Sequence, residues 1–224
     1  MNSLLLLKLL LAPLFVAVIS YIQQRWGDGI GGRLIGLPLT TGPFILIIFI
    51  QEGGPFAALA AHGVLVGQVA LIVFCWVYAI SSLKTSWAPA LGLGSISCLL
   101  VGGILTSFEI PLLVLLPLLA GSWFLVLKFW PSYSNPPRTA ATPRWELPAR
   151  LLVTVAIILL LTGFANVLGP RIAGALSTYP VIISVLGAFS QKRFGPTATV
   201  ETLHGLTQVL PVSIVIMATL ALTM

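Results

Sequence analysis

Arg33-Leu34-Ile35-Gly36-Leu37-Pro38-Leu39-Thr40-Thr41-Gly42-Pro43 recurs, with small gaps, as Arg171-Ile172-Ala173-Gly174-Ala175-Leu176-Ser177-Thr178-Tyr179-Pro180. The echo continues downstream. Gln51, Pro55, Ala57 and His62-Gly63 in the first copy answer to Gln191, Pro196, Ala198 and His204-Gly205 in the second, and the two histidines of the chain are among them. Paired, Gly/Pro-interrupted apolar segments in corresponding places point to a binding site built between internal repeats of a membrane protein.

The surroundings of both copies are apolar. Hydrophobic residues make up 58% of the chain and charged residues 7%, against roughly 25% charged in soluble domains. Several runs reach the ~20 residues that a helix needs to cross a bilayer. A formal net charge of +6 would suggest nucleic acid in a soluble chain, but these cations stand singly and form no basic face. The bilayer is the expected partner, and nucleic acid is not.

Eight spans are expected, at about 4–24, 34–51, 56–82, 87–107, 110–130, 149–168, 171–190 and 197–222. The first lacks the basic start and small-residue cleavage site of a signal peptide. Pro131 to Pro148, rich in Pro, Ser and Thr, reads as a solvated linker carrying Arg138, Arg144 and Glu146. The division is therefore 1–107 as a first repeat of four spans, 108–148 as a connecting span and cytoplasmic linker, and 149–224 as a second repeat of three spans.

Lys and Arg accumulate in cytoplasmic loops. With the N-terminus outside, Arg25, Arg33, Lys84, Lys128, Arg138, Arg144, Arg150, Lys192 and Arg193 fall on the cytoplasmic side, opposed by Lys8 and Arg171. Both termini are then extracytoplasmic. Five spans separate each repeat member from its copy, and an odd offset inverts the copy.

With Arg33 and Arg171 at opposite interfaces, Pro43 and Pro180 would each lie about 14 Å deep, near one midplane. Thr40, Thr41, Gly42 and Pro43 would face Ser177, Thr178, Tyr179 and Pro180 there. Two half-helix N-termini, partly positive, would offer hydroxyls and amides to a small polar or anionic solute. The ordinary alternative is a pair of Pro kinks whose hydroxyls bond back to their own helices. His62 and His204 would lie about 10 to 12 Å deep and converge on the same centre. Histidine titrates nearest neutrality, so both are candidates for proton coupling, alongside helix packing as the plainer role. Glu201, three residues before His204, shares its helix face and either joins a relay or snorkels toward Lys192 and Arg193. Arg33 and Arg171 are candidate anion guides or interfacial anchors. The tryptophans suit an interfacial belt.

Cys75 and Cys98 lie in apolar runs and read as small hydrophobes. No nucleotide-binding fingerprint, metal-ligand spacing or nucleophile elbow occurs, so no cofactor, metal, catalytic residue or enzyme activity is expected.

Ile172-Ala173-Gly174 through Tyr179-Pro180, with the Gln191 to Gly195 turn, resembles the GlpM-like group of small bacterial inner-membrane proteins. The likeness covers spans six to eight and more weakly one to three, and implies a bacterial inner membrane. Those proteins are single units, whereas this chain reads as two units fused in opposite orientation, without the last helix of the second. The resulting expectation is an all-α secondary transporter of inverted repeats working by alternating access, with proton coupling through the histidines. A membrane scaffold and a passive channel are the alternatives, and a homodimer would relieve the shortage of helices.

Overall fold

The computed structural model describes residues 3–134, 143–168 and 179–224. These form α1 (Ser3–Trp26), α2 (Asp28–Gly36), α3 (Thr41–Glu52), α4 (Gly54–Lys84), α5 (Trp87–Leu105), α6 (Leu112–Lys128), α7 (Glu146–Leu168), α8 (Val181–Phe194) and α9 (Pro196–Thr223). No strand occurs among the described residues. Among the described residues, six stretches are long and apolar enough to cross a membrane: α1, α2 with α3 taken together, α4, α5, α7 and α9. The 17 residues of α6 and the 14 of α8 make shorter helices. The chain is an all-helical, multi-pass membrane protein, and side chains such as Ile50, Leu59, Leu113 and Leu152, each at least 71% exposed, form its outer surface.

Three glycines set the hairpins. Gly27, Gly53 and Gly195 have φ of 101°, 85° and 87° with extended ψ of 164°, 176° and 178°. A side chain would clash in that region, so glycine alone adopts it readily. Gly53 lies between Gln51 and Pro55 and Gly195 between Gln191 and Pro196, the repeated residues, and the backbone angles of the two glycines agree within a few degrees. The proline beyond each hinge enters the first helical turn, where its missing N–H costs nothing.

The second expected span is corrected at its start and at its break. It begins at Asp28, so Arg33 lies within a helix instead of at its entrance. The break covers Leu37 to Thr40 and centres on Pro38 rather than Pro43. The ring of Pro38 disfavours helical backbone at Leu37, which is extended at ψ 153°. Pro43 instead occupies the first turn of α3 and interrupts nothing.

At the centre α4 packs on α5, α9, α3 and α6, and α9 packs on α2, α4 and α8. Gln68 donates to Ser213 at 2.7 Å, and Gly54 abuts the carbonyl of Met224. The two helices that carry the histidines, α4 and α9, therefore run antiparallel. By contrast α2 runs parallel to α9: Gly32 faces the carbonyl of Thr202 and Gly36 that of Leu206. Without a hydrophobic drive between helices in lipid, such close backbone approach at small residues supplies association. Leu65, Ile72, Phe74, Tyr78, Leu115, Leu119, Leu203 and Leu206 fill the core.

Candidate functional site

Two helix pairings bring Arg33, His204 and Glu201 together. The glycine face of α2 lets it lie against α9 closely enough that Arg33 Nε and Nη2 each donate to Gln208 Oε1 at 3.4 Å. One turn back, Gln208 Nε2 is 3.5 Å from His204 Nε2, and His204 Nδ1 is 3.0 Å from the hydroxyl of Tyr133. The imidazole stacks on Trp130 at 5.1 Å and 27°, and meets Tyr133 edge-on. Glu201 reaches over Gly29, where an added Cβ would stand 3.0 Å from its Oε1.

Hydrogen-bond capacity gives this chain a direction. Arg33 can only donate, so it fixes the Gln208 carbonyl toward itself and the amide NH2 toward His204. His204 Nε2 must then accept and Nδ1 must carry the proton, donated to Tyr133. This tautomer is inferred from the network. Tyr133 lies beyond the end of α6, outside the spans. Burial, then the charge of Glu201, pushes its hydroxyl above the ordinary value of 10, with Arg33 opposing.

The histidines do not converge. His62 Nε2 bonds the carbonyl of Ile110 at 2.9 Å, at the start of α6, whereas His204 stacks on Trp130 at its finish. The 17 residues of α6 hold them about 25 Å apart. Nor do the two prolines share one depth. Pro43, ten residues before Gly53, stands about level with Gly63, ten residues after it. Tyr179 meets Ser95 through its hydroxyl at 2.9 Å and packs its ring on Phe74, roughly 16 Å further along α4. The level of Gln68 lies between them. Thr40, Thr41, Gly42 and Pro43 are half-buried beside α4. Arg171, Ser177 and Thr178 lie outside the described residues.

A second cluster was missed in the sequence. Asp28, Glu146 and Arg150 are each at most 4% exposed. Glu146 joins Arg150 at 2.5 Å and also pairs with Arg193. Arg150 Nη1 donates to Ser20 and Gln23, Gln23 donates to Asp28 and Thr202, and Ser190 donates to Asp28. Two carboxylates and two guanidiniums thus tie α1, α2, α7, α8 and α9 together. Glu146, expected in a solvated linker, opens α7 and is buried. The available signal was the i,i+4 spacing of Glu146 and Arg150, together with an Asp within Gly27-Asp28-Gly29.

Lysines and arginines gather at one end: Arg25, Lys84, Lys128 and Arg193 close α1, α4, α6 and α8, and Arg150 lies in the second turn of α7. Met224 lies at the other, beside Gly54. No family model, curated protein or solved structure matches this chain.

Proposed function

We propose that the chain is a secondary transporter of inverted-repeat build that moves a small anionic or polar solute across a bacterial inner membrane by alternating access, coupled to protons. The observation that carries this reading is the Arg33–Gln208–His204–Tyr133 chain beside the broken α2–α3 span. A neutral His204 accepts from Gln208. A protonated His204 is a donor at both nitrogens, so it repels the Gln208 amide and turns it. Gln208 then loses its grip on Arg33, and the guanidinium is released for an anion. Proton binding and anion binding thereby favour each other, and such coupling is reciprocal.

The inverted relation is supported by the antiparallel packing of α4 on α9 and the matching hinges at Gly53 and Gly195. Eight spans follow if α6 and α8 also cross. The basic end is then cytoplasmic by charge bias, with Ser3 and Met224 outside. The likeness to the GlpM-like group agrees with an inner-membrane setting.

Flux of a panel of small anions into proteoliposomes under an imposed pH gradient tests the reading. Arg33→Gln should abolish anion flux, and Gln208→Leu should leave flux but flatten its pH dependence. Wild-type flux in Arg33→Gln would overturn the site. Absence of flux across a broad panel in wild type would favour a scaffold.

A further inference from the structure

A recess of about 490 Å³ opens at the basic end of the molecule, lined by Ser82, Lys84, Thr85, Ser86, Trp87, Gln191, Lys192 and Pro196 among others. It shares no residue with the buried charge cluster or with the Arg33–His204 chain. Lys84 and Lys192 are exposed at its wall and form no ion pair among the described residues. Two helices begin there, α5 after Ser86 and α9 after Gly195, and neither has a side-chain cap. Their first-turn amides are unsatisfied by the helix and carry partial positive charge.

Gln191 supplies an independent observation. It is 7% exposed, and its Nε2 donates to the carbonyls of Ser82 and Thr85 at 3.1 and 3.0 Å. Those two acceptors fix the amide orientation and leave Oε1 buried with no donor among the described residues. A buried acceptor without a donor is costly. The recess thus combines two ammonium groups and two helix starts with Gln191 in its lining, whose buried Oε1 has no donor among the described residues. Trp87, 40% exposed at the rim, is the residue type that settles at headgroup level.

We propose that this recess binds the headgroup of an anionic phospholipid bearing hydroxyls, of the phosphoglycerol kind. The phosphate lies between Lys84, Lys192 and the starts of α5 and α9, and a glycerol hydroxyl donates to Gln191 Oε1. Clusters of basic side chains between helices at the cytoplasmic face are the expected sites for such headgroups. The site couples the lipid to the α4–α5 and α8–α9 turns together.

The full-length chain in neutral detergent is titrated with short-chain phosphatidylglycerol, with short-chain phosphatidylcholine and with soluble glycerol phosphate. Binding is read as a rise in unfolding temperature. Phosphatidylglycerol should stabilise saturably and phosphatidylcholine should not. Each lysine near an anionic headgroup contributes a factor of about five in affinity, so Lys84→Gln with Lys192→Gln should weaken apparent binding roughly 30-fold. Arg25→Gln, a basic residue outside the recess, should leave it within about twofold. Gln191→Leu should weaken phosphatidylglycerol selectively against phosphatidic acid, which has no glycerol hydroxyl. Equal stabilisation by phosphatidylcholine, or an unchanged titration in the double lysine variant, overturns the proposal. Glycerol phosphate matching the lipid at equal concentration overturns the lipid assignment in favour of a soluble phosphate ester.

Discussion

Replacing Gly32 with alanine places a Cβ 2.0 Å from the carbonyl oxygen of Thr202 and 2.8 Å from its carbon. Ordinary contact begins at 3.4 Å, so α2 must withdraw from α9 by about 1.4 Å, and the obstacle is backbone that no rotamer change can move. A gap of 0.5–1 Å already forfeits a quarter to a half of each contact's attraction, and α2 has its most extensive packing on α9. The strain should reach about 3 kcal/mol, the upper end of the usual overpacking range. Alanine returns up to ~1 kcal/mol through helix propensity, leaving a net loss of about 2 kcal/mol. Gly63→Ala is the matched control, since nothing lies within 4 Å of a Cβ there and only the propensity gain applies. At about 2–4 °C per kcal/mol for a chain of this size, the two variants should differ by roughly 6–12 °C in unfolding temperature, measured by circular dichroism in detergent. Equal stabilities, or a more stable Gly32→Ala, would refute close α2–α9 packing and with it the geometry that brings Arg33 to Gln208.

Glu146→Gln removes the carboxylate that Arg150 and Arg193 share, leaving buried guanidiniums in excess. The expected loss is about 3–5 kcal/mol, partly recovered by adding Arg193→Gln, whereas Glu52→Gln at an exposed site should change little. A Glu146→Gln protein as stable as Glu52→Gln would show that the cluster contributes nothing. The raised pKa of Tyr133 gives a signed pH effect. The unfolded chain releases this proton near its ordinary 10 and the folded chain only higher, so the stability it contributes is complete below about pH 10 and declines above. Glu201→Gln should lower the Tyr133 midpoint, seen as phenolate absorbance against a Tyr133→Phe reference, and a midpoint that rises would contradict the proximity of Glu201.

The sequence carried the helices well because their information is local. Apolar length placed the spans, Pro38 lies within the stretch singled out for its interruptions, and repeated Gln and Pro residues flanked both hinges. Pairings between helices were less legible. Arg150 was counted only as a topological marker, and Lys192 and Arg193 beyond that only as cations within reach of Glu201, since nothing in a one-dimensional charge count distinguishes a loop cation from one folded onto Glu146. The partners of His204 come from the end of α6 and from α2, so Tyr133 and Trp130 carried no local signal. Depth failed for a different reason: Arg33 was taken as an interfacial marker, but α2 begins five residues before it.

In the inverted arrangement proposed above, equivalent residues take equal depths from opposite faces, so only residues at the level of its axis would meet. Gln68 and Ser213 mark that level, and His62 and His204 stand on either side of it. A shared central histidine pair is therefore excluded by geometry, and any proton response has to be one-sided. The second copy has the groups for it. Aligned on the histidines, Glu201 and Gln208 correspond to Leu59 and Val66. Leu59 is 72% exposed on the outer surface and Val66 is buried in the apolar core, so neither gives His62 a polar neighbour, and its Nε2 bonds the Ile110 carbonyl. His204→Ala should remove the pH dependence of anion flux, because no group then turns the Gln208 amide. His62→Ala should retain it, with any loss appearing as lower stability from the freed Ile110 carbonyl. The comparison requires flux at several pH values for both variants at matched protein incorporation. A flattened profile in His62→Ala and a normal one in His204→Ala would reverse the assignment and place the proton site at the opposite end of α6.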